Sequence, residues 1–128
     1  VNDSKATSPE ATVWAFTSYS RVVWIAGGLS KEVGYEPLIP YLARIAHAFL
    51  VGAAAGEIAA FLARHKVPHT ISETLEKAVP AAHARAKSER GAAVVLLSPA
   101  CASFDQFKSF GARGDAFRAL VAELGEQR

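Results

Sequence analysis

The sequence predicts an α/β domain built on an open, mostly parallel sheet with helices on both faces. Apolar runs rich in β-branched residues, such as RVVWIA at Arg21–Ala26 and AVVLLS at Ala93–Ser98, are typical of strands that are buried on both faces. Segments with helical spacing of apolar residues alternate with these runs, which is the pattern of βαβ units. The 128 residues fit a single domain that can bury a core without disulfides or a metal.

Five short segments have the composition of strands. The run at Arg21–Ala26 ends at a glycine pair, and the run HAFLV ends at Gly52. Pro68 cannot donate to a strand ladder and therefore favours a position near a sheet edge. The predicted strands are Val1–Asp3, Arg21–Ala26, His47–Val51, Val67–Ile71 and Ala93–Ser98.

Helices are predicted between these strands. Thr7 or Ser8 can cap the first helix, and Pro9 stands in a first turn, where proline is tolerated. Pro80 is expected to kink the fourth helix or to end it early, and the glycines of Gly111–Gly114 are expected to interrupt the last one. The predicted helices are Pro9–Tyr19, Leu38–Ile45, Glu57–His65, Leu75–Lys87 and Asp105–Leu124.

Composition excludes several classes of function. The formal net charge is +2 and the basic residues are scattered, whereas a nucleic-acid-binding surface would cluster them. No run of about 20 apolar residues is present, so no membrane span is predicted. A single cysteine, Cys101, suits a reducing compartment. The chain begins at Val1 without a leader pattern, so we expect a domain cut from a larger cytoplasmic protein.

Common catalytic and cofactor motifs are absent from the sequence. It has no GxGxxG, no GxxxxGK[ST] and no GxSxG. His65 and His69 are four residues apart, but Pro68 between them breaks the helix that would align them. We therefore predict no metal site and no catalytic residue in this chain.

Polar side chains that follow predicted strands form the candidate site. Asp3, Lys5 and Thr7 follow the first predicted strand, Lys31 follows the second and Ser103 follows the last. A parallel sheet gathers such residues at one edge, and lysines with hydroxyl donors suit a ligand that carries carboxylates. A helix cap, a solvated loop lysine and a turn serine would explain the same residues without a ligand.

Two stretches resemble the C-terminal domain of the Mur ligase family, and in particular of its D-glutamate-adding branch. They are VNDSKAT at Val1–Thr7 and LLSPACASFDQFKSFGARGDAF at Leu96–Phe117. The resemblance implies a Rossmann-like domain of an ATP-dependent enzyme that adds D-glutamate to UDP-N-acetylmuramoyl-L-alanine in peptidoglycan synthesis. Within the loop GGLSKEVGY, Glu32 beside the lysine and Gly34 depart from the family pattern.

The resemblance also implies roles for individual residues. The residues that match those holding D-glutamate are Thr7, Lys31, Ser103 and Phe110. Asp3 matches a residue that reaches the ribose of ATP, and Lys5 lines the same cleft. ATP and Mg²⁺ would be bound mainly by a central domain that this chain does not contain, so the chain alone is expected to be inactive.

The resemblance further implies a monomer in the cytoplasm, with no nucleic-acid partner. D-glutamate is the expected partner of this domain, and UDP-N-acetylmuramoyl-L-alanine and ATP would bind through the missing domains. Two alternatives remain open from the sequence: a domain of another Mur ligase or of a folylpolyglutamate synthase-like amide ligase, and a small α/β binding module without chemistry.

Overall fold

A computed structural model describes most of the chain. The described residues are 12–13, 16–17, 19, 21–27, 35–88, 94–97 and 110–126, with the backbone alone at 110 and 123–126. The predicted strand Val1–Asp3 lies outside them. Of the first predicted helix, Thr12, Val13 and Phe16 are described as helical.

Among the described residues, four strands form one parallel sheet, which confirms the predicted α/β class. Their order is β3-β2-β1-β4, and every neighbouring pair is parallel. All residues of β1 are buried, as expected for a strand that is covered on both faces. The strands are β1 (Val22–Gly27), β2 (Ile45–Val51), β3 (His69–Glu73) and β4 (Val94–Leu97).

The connections between the strands are helical. A 3₁₀ helix, Glu36–Arg44, follows β1, and the α-helices are α1 (Ala55–Arg64), α2 (Leu75–Ser88) and α3 (Phe110–Glu126). No helix among the described residues has both the length and the apolarity needed to span a bilayer.

Three details of the predicted helices are wrong. The second is a 3₁₀ helix that ends at Arg44, because the backbone of Ile45 is already extended and begins β2. Helix α2 continues through Pro80, so the early break is the part of that prediction that is wrong. Helix α3 runs without interruption through Gly111 and Gly114; each glycine costs a helix only about 1 kcal/mol relative to alanine, which packing can offset.

Each face of the sheet carries its own core. On one face, Ile58 and Leu62 of α1 belong to the same buried cluster as Trp24 of β1. On the other face, Val79 of α2 and Phe117 of α3 lie in a cluster with alternate strand residues. Successive side chains of a strand point to opposite faces, so β1 contributes to both clusters and is the centre of the fold.

Candidate functional site

The strand order has one reversal point, and it lies between β1 and β4. From β1 the chain proceeds to β2 and then β3 on one side, and it then crosses over to place β4 on the other side of β1. After β1 the chain goes to the 3₁₀ helix, which packs on one face, and after β4 it goes to α3 on the opposite face. In open α/β sheets, ligands bind in the crevice at the carboxyl ends of two strands that diverge in this way.

Gly27 closes β1 at this reversal point, and only glycine fits there. Its φ is +126°, and a Cβ atom built on it would lie 2.0 Å from the carbonyl oxygen of Val51. The next strand ends in a similar way, because Gly52 has a φ of +72° and its N–H donates to the carbonyl of Glu73 at 3.0 Å. Close backbone approach therefore fixes the carboxyl ends of the first three strands relative to one another.

Arg113 connects α3 to the carboxyl end of β1. Its Nη1 donates to the carbonyl oxygen of Gly27 at 3.4 Å, and the residue is only 2% exposed. Sequence reasoning missed this residue, because the stretch around it was expected to interrupt the helix. The available signal was its spacing from Phe117, since residues four apart share a helix face and Phe117 is buried in the core.

Tyr35 anchors the chain where it enters the 3₁₀ helix. Its hydroxyl donates to Oε2 of Glu57, in the first turn of α1, at 2.5 Å. The ring is buried and lies 5.7 Å from that of Phe61, measured between centroids. The two residues that flank the Lys31 segment, Gly27 and Tyr35, are thus both fixed, Gly27 by the strand and Tyr35 by this contact.

The predicted site residues themselves fall mostly outside the described part of the chain. Phe110 is the first residue of α3, and only its backbone is described. The other five, which lie outside the described residues, are Asp3, Lys5, Thr7, Lys31 and Ser103.

The structure does place the attachment points of the Lys31 and Ser103 segments. Segment 28–34 departs from the carboxyl end of β1, and segment 98–109 departs from that of β4. These strands are direct neighbours, with Ile25 paired to Leu97, and paired strands are about 4.8 Å apart. Both segments therefore start from the same edge of the sheet, beside the reversal point.

Curated relatives match nearly the whole chain. A protein of Rhizobium etli is 56% identical over 127 residues, which is 97% of this chain and 26% of the relative. A protein of Mesorhizobium japonicum is 57% identical over 125 residues, 97% of this chain and 27% of the relative. Both are named UDP-N-acetylmuramoylalanine–D-glutamate ligase. The chain is similar to these ligases over nearly its whole length. It spans about a quarter of the length of these relatives, and no protein-family profile matches it.

The described part of the chain contains no cluster of side chains suited to a metal ion. No group of three or more His, Cys, Asp or Glu side chains is close enough there to hold a metal ion. His65 caps the end of α1, whereas the ring Nδ1 of His69 lies 2.9 Å from the carbonyl of Val67 at the start of β3. The described residues therefore form no metal site, and no reaction step is assigned to one here.

Proposed function

We propose that this chain is the D-glutamate-binding, C-terminal domain of a longer ligase that joins D-glutamate to UDP-N-acetylmuramoyl-L-alanine. The observation that carries the proposal is 56% identity over 97% of the chain to ligases of that name. The names of the relatives favour this branch over another Mur ligase or a folylpolyglutamate synthase-like enzyme. The reversal of strand order beside the Lys31 and Ser103 segments supports a ligand site at the same edge.

Four residues would bind D-glutamate: Thr7, Lys31, Ser103 and Phe110. A lysine ammonium and two hydroxyl donors complement the two carboxylates of this amino acid. Phe110 would contribute through the beginning of α3, which it opens. Asp3 and Lys5 would face the nucleotide from this side of the cleft.

The contribution of this domain to ligation would be positioning. Holding both carboxylates of D-glutamate aims its amine at the activated carboxyl carbon of the other substrate, which turns a bimolecular encounter into a near-attack geometry. Closure of the domain over the cleft would keep water from that carbon. ATP and Mg²⁺, bound by the rest of the ligase, would supply the activation of the carboxylate.

Substitutions in the full-length protein test the D-glutamate site. Ser103→Ala and Thr7→Ala each remove one hydrogen bond to a charged group, which contributes about 1.5–3 kcal/mol. We therefore expect the KM for D-glutamate to rise by about 10- to 100-fold, with the KM for ATP changed far less. Steady-state phosphate release with each substrate varied in turn gives both constants.

Ser88→Ala is the matched control. Ser88 is an exposed serine at the end of α2, and its hydroxyl donates to the carbonyl of Arg85. Because α2 leads into the amino end of β4, this serine lies at the opposite edge of the sheet. Unchanged D-glutamate kinetics in both Ser103→Ala and Thr7→Ala would overturn the assignment.

The 128-residue chain alone is predicted to release no ADP from ATP, since it has no phosphate-binding loop. A coupled ADP assay on the purified chain checks this, with the full-length protein as the positive control. ADP release by the chain alone would mean that nucleotide chemistry occurs within it.

A further inference from the structure

We propose that Arg113 is a positioning residue that holds the two D-glutamate-binding segments in register across the crevice. The inference rests on the proposed function, because it concerns how that same site is assembled. Arg113 is in the first turn of α3, three residues after Phe110, and it bonds to the last residue of β1. It therefore joins the helix that follows the Ser103 segment to the strand that precedes the Lys31 segment.

The contact spans 86 residues of sequence and crosses the reversal point of the sheet. Described pairing between β1 and β4 stops at Ile25 and Leu97, whereas Gly27 lies two residues further along β1. The carbonyl of Gly27 thus projects from the part of β1 that extends past this pairing. Arg113 supplies a donor at this position from the helix on the opposite side of the crevice.

Burial of the arginine argues that the contact does more than fill space. Arg113 is only 2% exposed, and burying its charged guanidinium carries a desolvation penalty. An apolar side chain of similar volume at such a position often stabilises a protein as much as a buried charge does, or more. The planar guanidinium instead fixes direction, because its donors have a rigid geometry. A misplacement of about 1 Å in a reacting group can cost a factor of about 100 in rate, so a fixed crevice width bears directly on ligation.

Among the described contacts, Arg113 joins the first turn of α3 to the last residue of β1, whereas Phe117 packs the middle of α3 against the sheet. Segment 28–34 is held at its far end by the hydrogen bond of Tyr35 to Glu57, both of which belong to the wall formed by the 3₁₀ helix and α1. That contact does not touch α3. Because Phe117 keeps α3 packed on the sheet, loss of the Arg113 contact should let only the first turn of α3 shift relative to the last residue of β1, without unfolding either wall.

The test uses the full-length protein with Arg113→Met, which keeps length but removes the charge, and Arg113→Lys, which keeps the charge but loses the planar guanidinium. For each variant, the KM values for D-glutamate and ATP and the melting temperature are measured. We expect the KM for D-glutamate to rise at least tenfold in Arg113→Met and less in Arg113→Lys, while the KM for ATP stays within about twofold.

Arg118→Met is the control on the same helix. Arg118 is exposed and pairs with Asp115, so both KM values should remain those of the parent protein. A purely structural role predicts a different result for Arg113, namely a lower melting temperature and less active protein with both KM values unchanged.

Each outcome decides between the proposals. If the parent protein ligates D-glutamate and a folded Arg113→Met or Arg113→Lys keeps its KM for D-glutamate, the positioning role is overturned and the proposed function stands. If both variants fail to fold, Arg113 has a structural role and the positioning proposal is again overturned. If the parent protein does not ligate D-glutamate, the proposed function fails, whatever the variants do.

Discussion

Gly27→Ala should be one of the most damaging single-methyl additions in the described part of the chain. The new Cβ would lie 2.0 Å from the carbonyl oxygen of Val51, and the backbone φ of +126° is strained for any other residue. The strain costs about 1–3 kcal/mol, and the backbone shift that relieves the overlap costs about 1–3 kcal/mol more. Together these terms predict a loss of about 2–6 kcal/mol from a native stability on the order of 5–15 kcal/mol.

Urea denaturation of the chain, followed by circular dichroism, measures this loss. Gly56→Ala is the matched control, because a Cβ at this exposed position of α1 would meet no atom within 4 Å. Helix propensity then predicts a gain of about 1 kcal/mol, so the two alanines should shift the midpoint in opposite directions. A Gly27→Ala variant as stable as the parent would refute the close approach of β1 and β2 at the site edge.

Two further predictions concern the frame of the site. Tyr35→Phe removes the hydrogen bond to Glu57 and should lower the free energy of unfolding by about 1–2 kcal/mol. The control is Tyr41→Phe, at a ring that lies 5.5 Å from the guanidinium of Arg44, and its free energy of unfolding should stay within about 0.5 kcal/mol of the parent. Equal urea midpoints for the two variants would contradict a role for the Tyr35 contact. Leu62→Ala opens a cavity at a fully buried side chain and should lower the free energy of unfolding by about 2–5 kcal/mol. Val121→Ala, at a side chain that is 45% exposed, should lower it much less. Similar melting temperatures for the two variants would contradict the packing of α1 on the sheet.

Much of the fold was predictable because burial leaves a strong signal. The run predicted at Arg21–Ala26 is β1, displaced by one residue, and it is buried throughout. The prediction was less accurate at β3, expected at Val67–Ile71 and found at His69–Glu73. Val67 instead completes the end of α1 by donating its N–H to the carbonyl of Leu62 at 3.0 Å. The half-exposed edge strand β3 has only a weak hydrophobic pattern in the sequence. Val67, expected to begin it, therefore belongs to the end of α1 instead.

The site was predictable only as a set of segments. Strand ends followed by polar residues indicated the edge, but the order β3-β2-β1-β4, which puts the Lys31 and Ser103 segments beside each other, depends on contacts between distant parts of the chain. The bond from Arg113 to Gly27 is of the same kind, since local spacing carries no information about a partner 86 residues away. The roles of Lys31 and Ser103 stay predictions, as do those of Thr7 and Phe110.

An amide NMR titration of the full-length protein, first with D-glutamate and then with L-glutamate, tests the central claim most directly. Gly27 and Tyr35 flank the Lys31 segment, whereas Lys66 and Val67 lie beyond the end of α1, at the opposite edge of the sheet. We predict that D-glutamate shifts the amides of Gly27 and Tyr35, leaves those of Lys66 and Val67 in place, and acts at lower concentration than the L isomer. Shifts confined to the opposite edge, or the same response to both isomers, would contradict a D-glutamate site at the carboxyl ends of β1 and β4.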